Sequence, residues 1–258
     1  MSVELYANIS IGHENDWEII KSRVVAAAQC NADAVIISKS TPSISIPEHQ
    51  KYTRINSKWG SLPYIDVAKK SEMSFENLEK FEELIEHIGI PVIWSVRDSE
   101  AASWVKEFTR ATRVKVHFDA RDDWETISYC VENFDHLMYG GNDKHVDHLL
   151  KNHFNTTNKR RNLSLYHCAT QFPAKIEEID LSKLDDLRSG MRNVFVGYEG
   201  RCEGIFPDCA VVFKNVNFVE KHLGDVEQFN DAVLTHKEFY DFFINMNQLE
   251  IANGLQES

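Results

Sequence analysis

Hydrophobic positions along the chain repeat with two alternating periods. Short runs rich in β-branched and aromatic residues occur at Glu4–Ile9, Ala34–Ser38, Pro91–Ser95, Arg113–Phe118, His136–Tyr139, Leu163–Cys168, Asn193–Tyr198 and Asn217–Lys221. Runs of this length and composition predict strands. Between them, apolar residues recur near helical spacing. Asn15–Cys30 carries Ile19, Val24 and Ala27, and Ser74–Ile88 opens with a Ser-x-x-Asn cap ahead of Leu78, Phe81, Leu84 and Ile85. His145–Phe154, Asp180–Met191 and His236–Leu249 continue the alternation. Eight strand segments, each followed by a helix or a long loop, predict parallel βα units closed into one (β/α)₈ barrel, an α/β fold over residues 1–258. The least regular stretch is Lys39–Met73, with Pro42, Pro47, Gly60 and Pro63. It reads as a long loop after the second strand, either functional or a surface insertion.

Composition narrows the partners. The formal net charge is −12, which argues against a nucleic-acid or anionic-membrane surface, since both require a basic field. A small anionic or sugar ligand is compatible, because it needs only a few local groups. The five cysteines are Cys30, Cys130, Cys168, Cys202 and Cys209, none of them in a CxxC pair. The opening MSVELYANIS has neither a basic start nor an apolar run, so no signal peptide is expected and a reducing, cytoplasmic setting is. Apolar runs are shorter than the roughly 18 residues of a membrane helix.

Barrel chemistry sits at the C-terminal strand ends, on inward-pointing side chains. Strand alternation groups Lys115, His117 and Asp119; His167 with Leu163 and Leu165; Glu199 with Gly197 and Phe195; and Glu220 and His222 with Phe218. His13 follows the first strand. These side chains are expected to converge on one mouth. Each histidine has the alternative of a hydrogen-bonded structural role, and Glu220-Lys221-His222 has that of a charged strand end. Lys115, within an apolar strand, must find an anion or reach solvent. Inward histidines and carboxylates could hold a divalent metal. Tyr139-Gly140-Gly141-Asn142 is a permissive turn whose amides could hold an anion. Cys168 and His167 are not a catalytic pair, because neighbours on a strand face opposite ways.

The order of these motifs resembles the sialic acid synthase (N-acetylneuraminate synthase) family over nearly all of the chain. Leu165–Pro173, LYHCATQFP, looks like the family's LHCTSxYP stretch; Val196-Gly197-Tyr198 like the start of VGYSDH; and Val219–His222 like IEKH. Asn31–Val35 looks like the GADAV strand entry, Met73–Glu76 like LSxEE, and Ala7-Asn8-Ile9 with His13 like the AEIGxNHNG opening. The resemblance implies a (β/α)₈ barrel that condenses phosphoenolpyruvate with a hexosamine-type sugar to nonulosonic acids, using a divalent metal such as manganese or magnesium. It implies catalytic roles for Lys115, His167 and Glu220. It implies substrate contacts at His13 and Lys221 and a metal ligand at His222, while strand parity adds His117, Asp119 and Glu199 as substrate contacts, with Arg201 beside them as a replacement cation. A homodimer or a partner subunit is compatible with it. The C-terminal antifreeze-like domain of full-length synthases is not expected here.

Several family residues are replaced. The opening glutamate falls on Asn8. The lysine and glutamine of KFQ fall on Ile36 and Ser38, the threonine of STPFD near Val96, and the serine of STG on Tyr139. In GYSDH, the serine, aspartate and histidine fall on Glu199, Gly200 and Arg201, and the late DH on Asp231-Ala232. Three functions remain open at this point. One is a synthase with a remodelled site in nonulosonic or related surface-carbohydrate synthesis, where Arg201, Arg97, Lys39 and His117 offer replacement cations. Another is a catalytically silent paralogue that binds a sugar or an active partner. The last is unrelated barrel chemistry on His117, Asp119, Glu199 and Arg201.

Overall fold

The computed structural model describes residues 2–141, 143–190, 193–224 and 232–254. Eight parallel strands run β1 (Glu4–Asn8), β2 (Ala34–Lys39), β3 (Val92–Val96), β4 (Arg113–Val116), β5 (His136–Tyr139), β6 (Leu163–Cys168), β7 (Phe195–Gly200) and β8 (Phe218–Leu223). Each pairs with the next, and β8 pairs back onto β1, so the sheet closes into the expected (β/α)₈ barrel. A short parallel strand, Val233–Leu234, adds to β8 beyond the closure. Each expected strand is present within a few residues of its predicted ends.

Alternation divides every strand between two environments. Leu5 and Ala7, Val35 and Ile37, Val114 and Val116, Leu163 and Leu165, and Val196 and Tyr198 face outward and are buried under the helices. Tyr6, Ile36, Ile93, Met138, Tyr166 and Phe218 fill the barrel interior together with Phe118. Phe218 stacks on Tyr6 at 5.0 Å between ring centroids. Its ring occupies the space that a Cβ on residue 197 would need, which is why β7 carries glycine there.

The helices start where side-chain caps satisfy their free amides. Asp16 caps Trp17–Gln29, Ser74 caps Phe75–Ile88, and Thr235 with Glu238 forms a capping box on His236–Ala252. Two helices, Ser99–Phe108 and Trp124–Asn133, follow β3 and β4 where no periodic segment was read. Each is amphipathic, burying Ala101, Ala102 and Val105 in one and Thr126, Ile127 and Cys130 in the other.

The stretch after β2 is also more regular than its sequence. It holds the short helices Pro42–Ser45 and Glu48–Lys51, an antiparallel hairpin of Arg54–Ser57 with Gly60–Pro63, and the helix Tyr64–Ser71. The hairpin strands are four residues long and mostly exposed or half-buried, which leaves no clear alternation to read. All five cysteines are free thiols. Among the described residues no helix is long and apolar enough to cross a membrane.

Candidate functional site

The upper end of the barrel interior is polar. Glu199 on β7 and Glu220 on β8 are register partners on neighbouring strands, so both carboxylates point inward side by side. Such a pair repels itself unless a cation joins it. Lys115 supplies that cation from β4. Its ammonium donates to Glu199 Oε2 at 2.8 Å and to Glu220 Oε1 and Oε2 at 2.7 and 2.6 Å. Arg201, just past β7, donates through Nε to Glu199 Oε1 at 2.6 Å. Asn8 at the end of β1 donates to Glu220 Oε1 at 2.7 Å. The Tyr166 ring lies 4.7 Å from the Lys115 ammonium, and Phe118 lies 4.5 Å from the Arg201 guanidinium.

Lys115, Glu199 and Glu220 are almost fully removed from solvent, so these charges persist only because they are paired. Burial alone would push the Glu199 carboxyl up, but Lys115 and Arg201 outweigh it and hold the group well below the ordinary carboxylate range. Glu220 is pushed up by burial and by Glu199, against the pull of Lys115 and Asn8. The lysine itself is pulled up: burial opposes its charge, and the two carboxylates win.

A cavity of about 240 Å³ opens above this network. Lys115, Glu199, Arg201, His117, Asp119 and His222 line it, with Asn8, Ser10, Ser38, Arg97, Thr170 and Phe172. At the rim Arg97 donates to Asp119 at 2.9 Å and lies 3.0 Å from His117 Nε2. Burial and then Arg97 lower His117 far below its ordinary value, so it is a neutral imidazole. His222 is lowered to about 3, by burial first and then by Lys115, Arg201 and Lys221, and it is also neutral. Its ring meets Phe172 edge-on at 4.8 Å. His222 Nδ1 and Ser10 Oγ are buried without a hydrogen-bond partner in the protein.

Six of the residues expected from sequence therefore share one mouth with Lys115 at its base: His117, Asp119, Glu199, Arg201, Glu220 through its ion pair, and His222. Three expected residues do not join them. His167 shares a face with Leu163 and Leu165, and that face points outward to the helices. There the charges acting on it are Asp180 and Lys183. Lys221 also points outward. Its ammonium is buried against Asp208 at 2.9 Å and the carbonyls of Cys202 and Gly204 at 2.8 and 2.7 Å. His13 lies in the loop after β1, outside the cavity, where Nδ1 accepts from the Asn15 amide at 3.1 Å.

Two of the positions aligned with family ligands are displaced for the same reason. Val96 and Tyr139 face the helices rather than the mouth. The inward neighbours are Ser95 and Arg97 on one strand and Met138 and Gly140 on the other. Of the turn after β5, Gly140 and Gly141 are tucked against the rings of Tyr166 and Tyr139, while Asn142 lies outside the described residues, as does Asp231. Asn8, Ser38 and Arg97 share strand parity with the inward Tyr6, Ile36 and Ile93 of their own strands. Thr170 and Phe172 come from the loop after β6, within the Leu165–Pro173 motif, but strand parity does not reach them.

A divalent metal was expected on His222. Among the described residues no group of three or more His, Cys, Asp or Glu side chains is placed to hold a metal ion. Arg201 stands beside His222 with its permanent charge, which disfavours a second cation there. The residues described do not fit a metal centre.

Comparison with known proteins agrees with the geometry. The model of the NeuB family matches residues 23–257. Human N-acetylneuraminate-9-phosphate synthase is 19% identical over 222 residues, covering 85% of this chain and 61% of that protein. N,N'-diacetyllegionaminic acid synthase of Campylobacter jejuni is 34% identical over 64 residues, 25% of this chain and 19% of that protein. The chain thus spans less than two thirds of the length of either relative. Among solved structures, N-acetylneuraminic acid synthetase from Leptospira borgpetersenii, in complex with citrate, superposes with a TM-score of 0.83 at 16% identity. That match covers 100% of this chain and 88% of the other. A spore coat polysaccharide biosynthesis protein E from Chromobacterium violaceum gives 0.81 at 14% identity, with 100% and 77% covered. These structural likenesses establish the shared barrel.

Proposed function

This chain belongs to the NeuB family, and on that premise we propose that it serves nonulosonic or related surface-carbohydrate biosynthesis by binding a sugar in the barrel mouth, without condensing phosphoenolpyruvate. One observation carries the reading: the donors of the Lys115 ammonium are spent on Glu199 and Glu220 inside the protein. A lysine so engaged has nothing left for an incoming phosphate or carboxylate. Ile36, where the family resemblance expects a phosphate-binding lysine, is an apolar side chain packed inside the barrel. It offers neither charge nor donor. Asn8 cannot titrate, so it cannot move a proton where the family carries a carboxylate.

A polyhydroxylated ligand fits what remains. Ser38, Thr170 and the neutral His117 line the cavity with groups that donate or accept, and sugar hydroxyls do both. Phe172 gives the cavity an aromatic surface beside them.

The rim favours a second reading, a remodelled synthase. Arg97 keeps a side chain 37% exposed at the cavity edge and could meet a phosphate held further out. One experiment separates the two. Purified protein is offered hexosamines in a calorimeter, and in parallel phosphoenolpyruvate, hexosamine and manganese or magnesium in a phosphate-release assay. Sugar binding without phosphate release is expected. Turnover that disappears in Lys115→Ala would establish the remodelled synthase instead.

A further inference from the structure

We infer that Glu199 sets the ligand class of the mouth: its carboxylate holds the place of a ligand anion between Lys115 and Arg201, and so confines the cavity to neutral sugars. The inference rests on the sugar-binding reading above and narrows it. The two oxygens of Glu199 are divided between two cations, Oε2 to the Lys115 ammonium at 2.8 Å and Oε1 to Arg201 Nε at 2.6 Å. A small carboxylate or phosphate ligand gripped at the base of this cavity would be held in the same manner. Here the protein supplies that anion from its own β7.

Charge counting leads to the same point. At the base, Lys115 and Arg201 face Glu199 and Glu220, and at the rim Arg97 faces Asp119. Every cation lining the cavity has an internal carboxylate. An incoming anion would meet balanced charge and would have to displace a side chain that is 2% exposed. A neutral sugar displaces nothing and meets the uncharged Ser38 and Thr170 side chains of the wall.

Removing Glu199 has an asymmetric effect. Lys115 keeps Glu220, with both oxygens at 2.6–2.7 Å, whereas Arg201 loses its ion-pair partner. The base of the cavity then carries one uncompensated positive charge and a space the size of a carboxylate. Small anions should fill it.

The test compares wild type with Glu199→Ala by thermal melting and calorimetry at fixed ionic strength. Formate, inorganic phosphate and uncharged N-acetylmannosamine are titrated separately, with chloride as the control anion. Formate and phosphate are expected to bind the variant at least tenfold more tightly than wild type. They should raise its melting temperature by about 3 °C or more near 100 times Kd. Wild type should not respond to either anion. Adding Arg201→Ala to the variant should abolish the anion response. A folded Glu199→Ala that binds no anion, or a wild type that binds phosphate as tightly as the variant does, overturns the inference. Should Glu199→Ala not fold, the same titration on Glu199→Ser, which also vacates the carboxylate's space, decides. N-acetylmannosamine is the arm that tests the sugar-binding reading: no binding to wild type defeats that reading, whatever the anion arms show.

Discussion

Two lysines of this barrel are wholly buried, and they teach different things. Lys115 points inward from β4 and Lys221 outward from β8, and both have virtually no solvent contact. Each is paired with carboxylate. Lys221 is closed off completely, with its ammonium against Asp208 and two backbone carbonyls between the barrel wall and the segment that follows β7. Lys115 sits under an open cavity that Glu199, Arg201 and Asn8 of its network also line. Burial of a charge therefore does not mark function. The face of the strand and the presence of accessible space beside the charge mark it.

The largest expected effect breaks the outer network. Lys221→Met leaves Asp208 buried without its cation and should cost about 3–5 kcal/mol, the usual result of removing one partner of a buried pair. A shift in the urea midpoint measures it. Sugar binding by the folded fraction should be unchanged. A loss below about 1 kcal/mol would mean that the outer pair is not an ion pair, and the contrast with Lys115 would collapse.

Gly200→Ala tests the same region sterically. A Cβ at residue 200 would overlap the Asp208 carboxylate, so overpacking of about 1–3 kcal/mol is expected. Combined with Lys221→Met the losses should be less than additive, because both changes act through Asp208. Full additivity in the double-mutant cycle would show that the glycine serves some other contact.

Acidification sharpens the comparison from the mouth's side. His222 and His13 are lowered to about 3 and about 4 from an ordinary 6.5, mainly by burial. Between those values the unfolded chain binds protons that the folded chain refuses. Stability is therefore complete above about pH 6.5 and falls as pH drops toward 4. The slope is at most about 1.4 kcal/mol per pH unit for each histidine. Calorimetric melting from pH 8 to 4.5 follows it. His222→Gln should remove only that residue's share of the slope, since burial also lowers His13, His117, His136 and His167.

The smallest expected change is at Asn8. Asn8→Ala removes one neutral donor from Glu220 and should cost about 0.5–1.5 kcal/mol at pH 7, read from urea unfolding. An effect as large as that of Lys221→Met would show that the inner network depends on Asn8 as strongly as the outer one depends on its cation.

The sequence by itself determined the barrel and the location of its charged end. Eight β-rich runs separated by helical or loop segments admit few arrangements, because consecutive parallel strands need right-handed crossovers and one sheet of eight closes readily. Parity alone placed Lys115, His117, Glu199, Glu220 and His222 on shared faces, since side chains along a strand repeat with period two. Parity does not say which face is inside. That is why His167 is expected in the mouth and lies under the helices, whereas Lys221, Val96 and Tyr139 are placed at the site by motif resemblance alone, against the alternation that puts Lys221 opposite Glu220 and His222. The hairpin after β2 gives no readable alternation, because its strands are short and exposed or half-buried, whereas the helices Ser99–Phe108 and Trp124–Asn133 do carry a helical apolar pattern in the sequence, with Ala101, Ala102 and Val105 buried in one and Ile127 and Cys130 in the other.

What only the tertiary structure decided is the partnership of charges. Lys115 and Glu220 are 105 residues apart, Lys115 and Glu199 are 84 apart, and nothing local indicates that they meet. Their meeting depends on the closure of the sheet, which brings β4 across the interior from β7 and β8. Only then do two adjacent carboxylates, one lysine and one arginine become a neutral, buried set.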